Sequence, residues 1–193
     1  MGWDHAKPDF GAPLDVAERL RLVPRAATVK GMFFDAPIAE AFRRSGQHAG
    51  KRAYFPFKDY PLTEHIQVLV ACAMAAYPDA PVREGLRRLG RDAFTTFLES
   101  LAGRVLFSVA GRSFDAALGL VARSYAIAGP VGTATVKTRA PDAAVIHLKE
   151  IYNFPDAYHV GVFEAAMEYF RQEGEVHTLV RSPSDVDIKM VIR

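Results

Sequence analysis

The sequence is poor in cysteine and lacks the short motifs that carry familiar chemistry. Its 193 residues include one cysteine, Cys72, so an intrachain disulfide and any site that needs two thiolates are excluded. The phosphate-binding patterns G-x-G-x-x-G and G-x-x-x-x-G-K-[ST] are absent, and so is the nucleophile elbow G-x-S-x-G. We therefore predict no catalytic residue and expect that the chain is not an enzyme.

Strong charge and long hydrophobic runs are also missing. The net charge of +2 is too small to indicate nucleic-acid binding, and Arg83, Arg87 and Arg91, spaced by four, are interpreted as the solvated face of a helix. The longest strongly apolar run, residues 68–77, is about half of the roughly 20 residues that a membrane-spanning helix needs. The N-terminus lacks the cationic start and apolar core of a secretory signal. We expect no nucleic-acid partner, no membrane span and a cytoplasmic location.

The overall composition is that of an ordinary globular protein, with 50% apolar and 24% charged residues. A chain of this length is most simply one domain. We therefore predict a single domain over residues 1–193, with residues 1–12 as a candidate flexible N-terminal segment.

The first two thirds of the chain predict mainly helices. Apolar residues recur at helical spacing, and the segment 62–77 is apolar on all sides, which indicates a buried central helix. Gly85 and Gly90 lie inside a predicted helix, where each costs about 1 kcal/mol relative to alanine, so we expect close packing against another backbone. A strand predicted at 28–34 joins or borders the C-terminal sheet. The rings of an aromatic loop at 54–60 plug the core edge or cover a pocket. The predicted helices follow Asp15 and run from Asp35 to Gly46, from Leu62 to Tyr77, from Val82 to Leu101 and from the cap Ser113 to Tyr125.

The C-terminal third changes to strand patterns around one helix. Turn residues lie at Pro141–Asp142 and at Ser182–Asp185. A helical block followed by ββαββ is typical of the α+β class, so we predict a helical layer packed on a four- to five-stranded antiparallel sheet. The predicted elements are strands at 133–139, 144–149, 175–181 and 186–192 and a helix at 158–170.

The six histidines are the remaining candidates for metal chemistry. None forms an H-x-x-x-H or H-x-H pair. His147, His159 and His177 could converge with Glu164 in space, or they could be unrelated histidines with local hydrogen-bond partners. We favour the second alternative and predict no metal site.

Several segments resemble an uncharacterised myxobacterial paralogous family. They are residues 27–34, 60–65, 85–94 and 158–164. More distantly, residues 89–94 and 161–193 are similar in pattern to a superfamily that contains 4-vinyl-reductase-like sensor domains, haem nitric-oxide-binding domains and transport-particle subunits. The resemblance implies a helical layer over an antiparallel sheet, often dimeric, with a hydrophobic interior that different members use for aromatic effectors, haem or acyl chains.

The sequence departs from the haem-binding members of that superfamily. Those members carry a histidine on a helix before the sheet and a Y-x-S-x-R pattern after it. This chain has no histidine between His65 and His147, and residues 146–152 lack the pattern. We therefore predict no cofactor.

These observations leave two functional hypotheses. The first is a non-enzymatic regulatory or sensory module that binds a small apolar ligand between helices and sheet. The alternative is a dimeric interaction scaffold or adaptor with a filled core, whose partner is a second copy or a signalling protein. The candidate pocket residues of the first hypothesis are Ile66, Val70, Met74, Phe94, Phe97, Leu118, Val121, Tyr125, Phe163 and Met167.

Overall fold

The computed structural model describes residues 4–50, 53–108, 110–111 and 113–193. Helices dominate up to residue 128, and strands around one helix follow, as the sequence predicts. Residues 1–3 of the predicted flexible segment and residues 51–52 of the loop after α2 lie outside the described residues. The helices are α1 (Val16–Leu22), α2 (Met32–Ser45), α3 (Leu62–Ala76), α4 (Val82–Glu99), α5 (Leu101–Phe107), α6 (Phe114–Leu118), α7 (Val121–Ala128) and α8 (Tyr158–Tyr169), and the strands are β1 (Thr28–Lys30), β2 (Asp59–Pro61), β3 (Thr133–Ala140), β4 (Ala143–Lys149), β5 (Gly174–Ser182) and β6 (Asp185–Ile192).

The C-terminal strands form a four-stranded antiparallel sheet in the order β3-β4-β6-β5. Alternate residues of β4 and β6, such as Ile146 and its partner Ile188, are fully buried beneath α8. The intervening His147 and Asp187 pair on the opposite face. This alternation is what a sheet covered on one face requires. The predicted α+β class and the C-terminal ββαββ order are confirmed.

Helices α4 and α8 cross at two glycines. A Cβ at Gly90 would lie 1.8 Å from the Tyr158 carbonyl oxygen, and one at Gly161 would lie 1.9 Å from the Arg87 carbonyl oxygen. Gly85 similarly faces α3, because a Cβ added there would lie 3.1 Å from the Ala73 Cβ. The close backbone approach predicted for Gly85 and Gly90 is confirmed.

The same crossing overturns the interpretation of the arginine row as a solvated face. Arg87 Nε donates to Glu164 of α8 at 2.8 Å, and Arg91 Nη1 donates to the same carboxylate at 3.3 Å. Arg83 pairs with the buried Asp156. The ion pairs of these arginines instead connect α4 to α8 and to the segment that precedes α8.

The strand predicted at 28–34 is wrong in length and in partner. Only Thr28–Lys30 is extended, and it pairs with β2 in a separate two-stranded sheet. The chain then turns at Gly31, whose N–H donates to the Lys58 carbonyl, and α2 begins with the aromatic residues. Phe34 is fully buried because its ring stacks on Tyr54 with centroids 3.9 Å apart. The aromatic loop therefore plugs the core edge with Tyr54.

Two further boundaries position the site. Ser100 ends α4 and caps α5, since its Oγ accepts from the Gly103 N–H at 3.0 Å. The predicted helix 82–101 is therefore confirmed as α4 to within two residues, and residues 101–107 form a further helix that was not predicted. Ser113 caps α6 as predicted, accepting from the Ala116 N–H. The single helix predicted from Ser113 to Tyr125 is wrong, because α6 ends at Leu118 and α7 begins at Val121. Within the described ranges, no helix is long and apolar enough to cross a bilayer.

Candidate functional site

A cavity of about 140 Å³ lies between the helical layer and the sheet. Its walls come from α2, α3 and α4 through α8, and Met190 of β6 forms part of its floor. Phenylalanine is the most frequent lining residue, and Phe33, Phe94, Phe107 and Phe114 are examples. Aromatic rings are large and have few rotatable bonds, so such walls keep their shape.

The structure brings part of the predicted pocket set together. Ile66 and Val70 of α3 lie instead in the core of the helical layer, and Met74 is 57% exposed. Met167 lines a separate charged groove beside α4. The predicted residues that line the cavity are Phe94, Phe97, Leu118, Val121, Tyr125 and Phe163.

A hydrogen-bonded chain of polar side chains forms one wall of the cavity. The Tyr125 hydroxyl lies 2.7 Å from His159 Nδ1, and His159 Nε2 lies 3.1 Å from the Asn153 amide oxygen. Burial lowers the pKa of His159 to about 3, so the ring is neutral at pH 7. Nε2–H then donates to Asn153, and Nδ1 accepts from Tyr125. Both ring nitrogens of His159 are engaged.

His65 of α3 contributes a second buried imidazole to the lining. Its side chain is 1% exposed, and its Nε2 lies 3.2 Å from the Phe33 carbonyl oxygen. Burial lowers the pKa of His65 to about 4. Nδ1 has no hydrogen-bond partner among the described residues.

The cavity adjoins an outer groove of about 460 Å³. Phe33 and Phe97 line both spaces, and their stacked rings, with centroids 5.9 Å apart, stand between them. The far side of the groove carries Phe57 and Leu101, which are 71% and 67% exposed. One aromatic pair thus separates the interior cavity from an apolar surface.

The histidines considered as metal ligands do not converge. His147 Nδ1 pairs with Asp187 at 2.7 Å on the outer face of the sheet, and His177 Nε2 lies 3.4 Å from Glu175. His159 lies at the cavity. In the part of the chain that the structure describes, no three His, Cys, Asp or Glu side chains are grouped so that they could hold a metal ion.

Sequence reasoning missed several residues of the cavity. The predicted strand at 28–34 includes Phe33, and Phe107 lies between two predicted helices, so neither residue is predicted as a wall. His65 and Asn153 carry a weak signal, since each is a polar residue within an apolar or aromatic segment. A periodicity argument does not show which interior space such a residue faces.

Solved structures of H-NOX proteins share this fold. The H-NOX protein from S. oneidensis in the Fe(II)NO state aligns with a TM-score of 0.64 and 10% identity, over 85% of this chain and 99% of that one. The Fe(II) unliganded H-NOX protein from K. algicida gives 0.62 and 13%, over 85% and 96%. An oxygen-binding H-NOX domain related to soluble guanylate cyclases gives 0.62 and 19%, over 84% and 92%. At these identities the likeness concerns the fold.

The sequence comparisons assign the chain to a family. No curated protein sequence matches it. A family model matches residues 22–191, which extend from before β1 into β6 and include all walls of the cavity. The chain belongs to the family described as "Protein of unknown function (DUF2378)".

Proposed function

We propose that this protein is a non-enzymatic sensory or regulatory module that binds a small apolar ligand in the cavity between its helices and its sheet. The observation that carries the proposal is the apolar cavity of about 140 Å³. An engineered cavity of about 150 Å³ with a similar aliphatic and aromatic lining stays dry and binds benzene or xenon. The ligand is therefore the size of a single six-membered ring.

The neighbours on this fold support a sensory role. One is an oxygen-binding domain, and another was solved in an Fe(II)NO state. Each of these proteins holds a small molecule on the same arrangement of helices and sheet. We transfer to this chain only the use of the interior for a small ligand.

The cavity does not fit a haem. Groups of drug-like size occupy pockets of about 300–1,000 Å³, whereas this cavity measures about 140 Å³. Both ring nitrogens of His159 are already hydrogen-bonded, and the side chain of His65 is only 1% exposed. Among the described lining residues none is an arginine or lysine that could pair with propionates. We therefore assign no iron chemistry to the site.

The expected affinity follows from the size of the cavity. An unfilled cavity costs about 24 cal/mol per Å³, which for 140 Å³ amounts to roughly 3 kcal/mol. A ligand that only fills this space should bind with a Kd in roughly the millimolar range. Such weak binding is measurable by a rise in Tm with ligand concentration.

Toluene and a filled variant test the proposal. Ala117 of α6 is buried and lines the cavity, so Ala117→Leu should occupy the space and remove the toluene-dependent rise in Tm. Ala122→Leu on the exposed face of α7 is the matched control and should keep it. The proposal fails if neither toluene nor benzene raises the Tm of the wild type, or if the Ala117→Leu variant responds as strongly as the control.

The exposed groove supports a second candidate, a dimeric interaction scaffold. Phe57 and Leu101 are largely exposed although both are large and apolar, and exposed apolar patches mark protein interfaces. We infer that a second copy of the chain would cover them. Sedimentation equilibrium should then show a dimer that Leu101→Asp dissociates and that Val180→Asp, at an exposed site on β5, leaves intact. A monomer at high concentration would contradict this candidate.

A further inference from the structure

Three of the described residues line both the cavity and the outer groove. They are Phe33 of α2 and Ala93 and Phe97 of α4. Ala93 and Phe97 lie four residues apart, so their side chains share one face of α4. Since alanine carries only a methyl group, the stacked rings of Phe33 and Phe97, with centroids 5.9 Å apart, form most of the partition between the two spaces.

The backbone on both sides of this partition is held in place. Pro37 has no N–H, so the Phe33 carbonyl lacks its usual donor four residues along α2, and His65 Nε2 lies 3.2 Å from it instead. The Phe97 carbonyl accepts from the Ser100 N–H at 3.1 Å and from the Ser100 hydroxyl at 2.6 Å. The partition can therefore open by rotation of the two side chains while both helices stay where they are.

The rings of Phe33 and Phe97 have space on both sides. Both side chains are partly buried, with the cavity of about 140 Å³ on one side and the groove of about 460 Å³ on the other. Phe94 and Phe163 also line the cavity, but they are buried in hydrophobic clusters, and a close-packed interior resists the movement of a ring. A rotation that opens the cavity therefore costs less at Phe33 and Phe97 than at these other aromatic walls.

We propose that Phe33 and Phe97 form the gate of the cavity, and that an apolar ligand passes between the groove and the cavity when these rings turn. This inference rests on the proposed function and adds the route by which the site fills and empties. A gate is a barrier common to entry and exit, so it slows association and dissociation alike. The Kd is then set by the cavity, and the exchange rates are set by the gate.

A bulky label in the groove tests the route without altering the cavity. Thr96 is exposed and lines the groove but not the cavity, so Thr96→Cys can carry fluorescein maleimide there while the buried Cys72 stays unlabelled. Ala122→Cys, on the exposed face of α7, is the matched control beside another wall of the cavity. Exchange rates of toluene are measured by NMR at the Leu118 methyl groups. We expect the label at Thr96→Cys to lower both rates roughly tenfold with little change in Kd, and the label at Ala122→Cys to leave both rates unchanged.

A pair of wall variants tests the gate itself. Phe97→Leu removes one gate ring, and Phe94→Leu makes the same change in a wall that does not border the groove. Phe97→Leu should raise the association rate several-fold, whereas Phe94→Leu should act mainly on the dissociation rate. Exchange that the groove label leaves unchanged, equal slowing by the α7 label, or equal association rates in the two leucine variants would overturn the gate and leave the cavity function standing. If toluene does not bind to the unlabelled wild type, the gate and the cavity function both fail.

Discussion

Replacing Gly90 by alanine should separate α4 from α8. The new Cβ would lie 1.8 Å from the Tyr158 carbonyl oxygen and 3.2 Å from the Val162 nitrogen, both backbone atoms that cannot rotate away. Overpacking of this kind costs about 1–3 kcal/mol and occasionally more. Alanine in a helix recovers about 1 kcal/mol relative to glycine. Because both contacts are with backbone atoms, we take the upper end of this range and expect Gly90→Ala to lower the free energy of unfolding by about 2 kcal/mol.

Gly85→Ala is the matched comparison, since it makes the same change on the same helix. There the new Cβ would stand 3.1 Å from the Ala73 Cβ, which a small shift relieves, so the gain in helix propensity should roughly cancel the cost. Urea denaturation at constant m-value gives both free energies of unfolding. Gly90→Ala should also weaken toluene binding, because α4 and α8 both wall the cavity. Equal stability of the two variants would refute this account of the crossing.

The remaining predictions concern titration, reactivity and a buried ion pair. Burial lowers the pKa values of His65 and His159 from 6.5 to about 4 and about 3. Below pH 6.5 these two side chains therefore bind fewer protons in the folded state than in the unfolded state. The free energy of unfolding should therefore fall by a few kcal/mol as the pH falls from about 6.5 to about 4, and a flat profile in urea titrations would contradict this. Burial raises the pKa of the Cys72 thiol to about 12, so iodoacetamide should modify it at pH 8 only in the unfolded protein; rapid labelling of the folded chain would be the opposite result. Arg19 is 4% exposed and pairs with Asp156 at 3.1 Å, so Asp156→Asn leaves a buried positive charge without its counter-charge. The free energy of unfolding in urea should fall by about 3–5 kcal/mol. A fall below about 1 kcal/mol would show that another group compensates the charge.

The sheet could be predicted from the sequence because its signals are local. Alternating residues in β6 and turn residues such as Pro141–Asp142 depend on neighbours along the chain. The prediction of a strand at 28–34 also relied on local signals, and it is wrong beyond Lys30. β-Branched and aromatic residues favour extended backbone locally, but the turn at Gly31 depends on pairing with Lys58, far along the chain.

The cavity could be predicted only in part. Helical periodicity indicates that Phe94, Leu118 and Tyr125 face inward, and they do line the cavity. Periodicity cannot distinguish a helix face that meets other side chains from one that borders an unfilled space. For this reason Ile66 is predicted as a pocket residue although it lies in the packed core of the helical layer. The ligand-binding role of these residues stays a prediction. The unpaired Nδ1 of His65 depends on tertiary contacts and has no counterpart in a sequence pattern.

The most direct test of ligand binding in the cavity is a methyl-NMR titration of the full chain with toluene. The methyl groups of Leu118, Val121 and Val162 line the cavity, and those of Leu69, buried in the core of the helical layer, serve as the internal reference. We predict saturable shifts of the three lining residues, from the ring current of a bound aromatic molecule, with little change at Leu69. Shifts that do not saturate, or that affect Leu69 as much as the cavity residues, would contradict binding at this site.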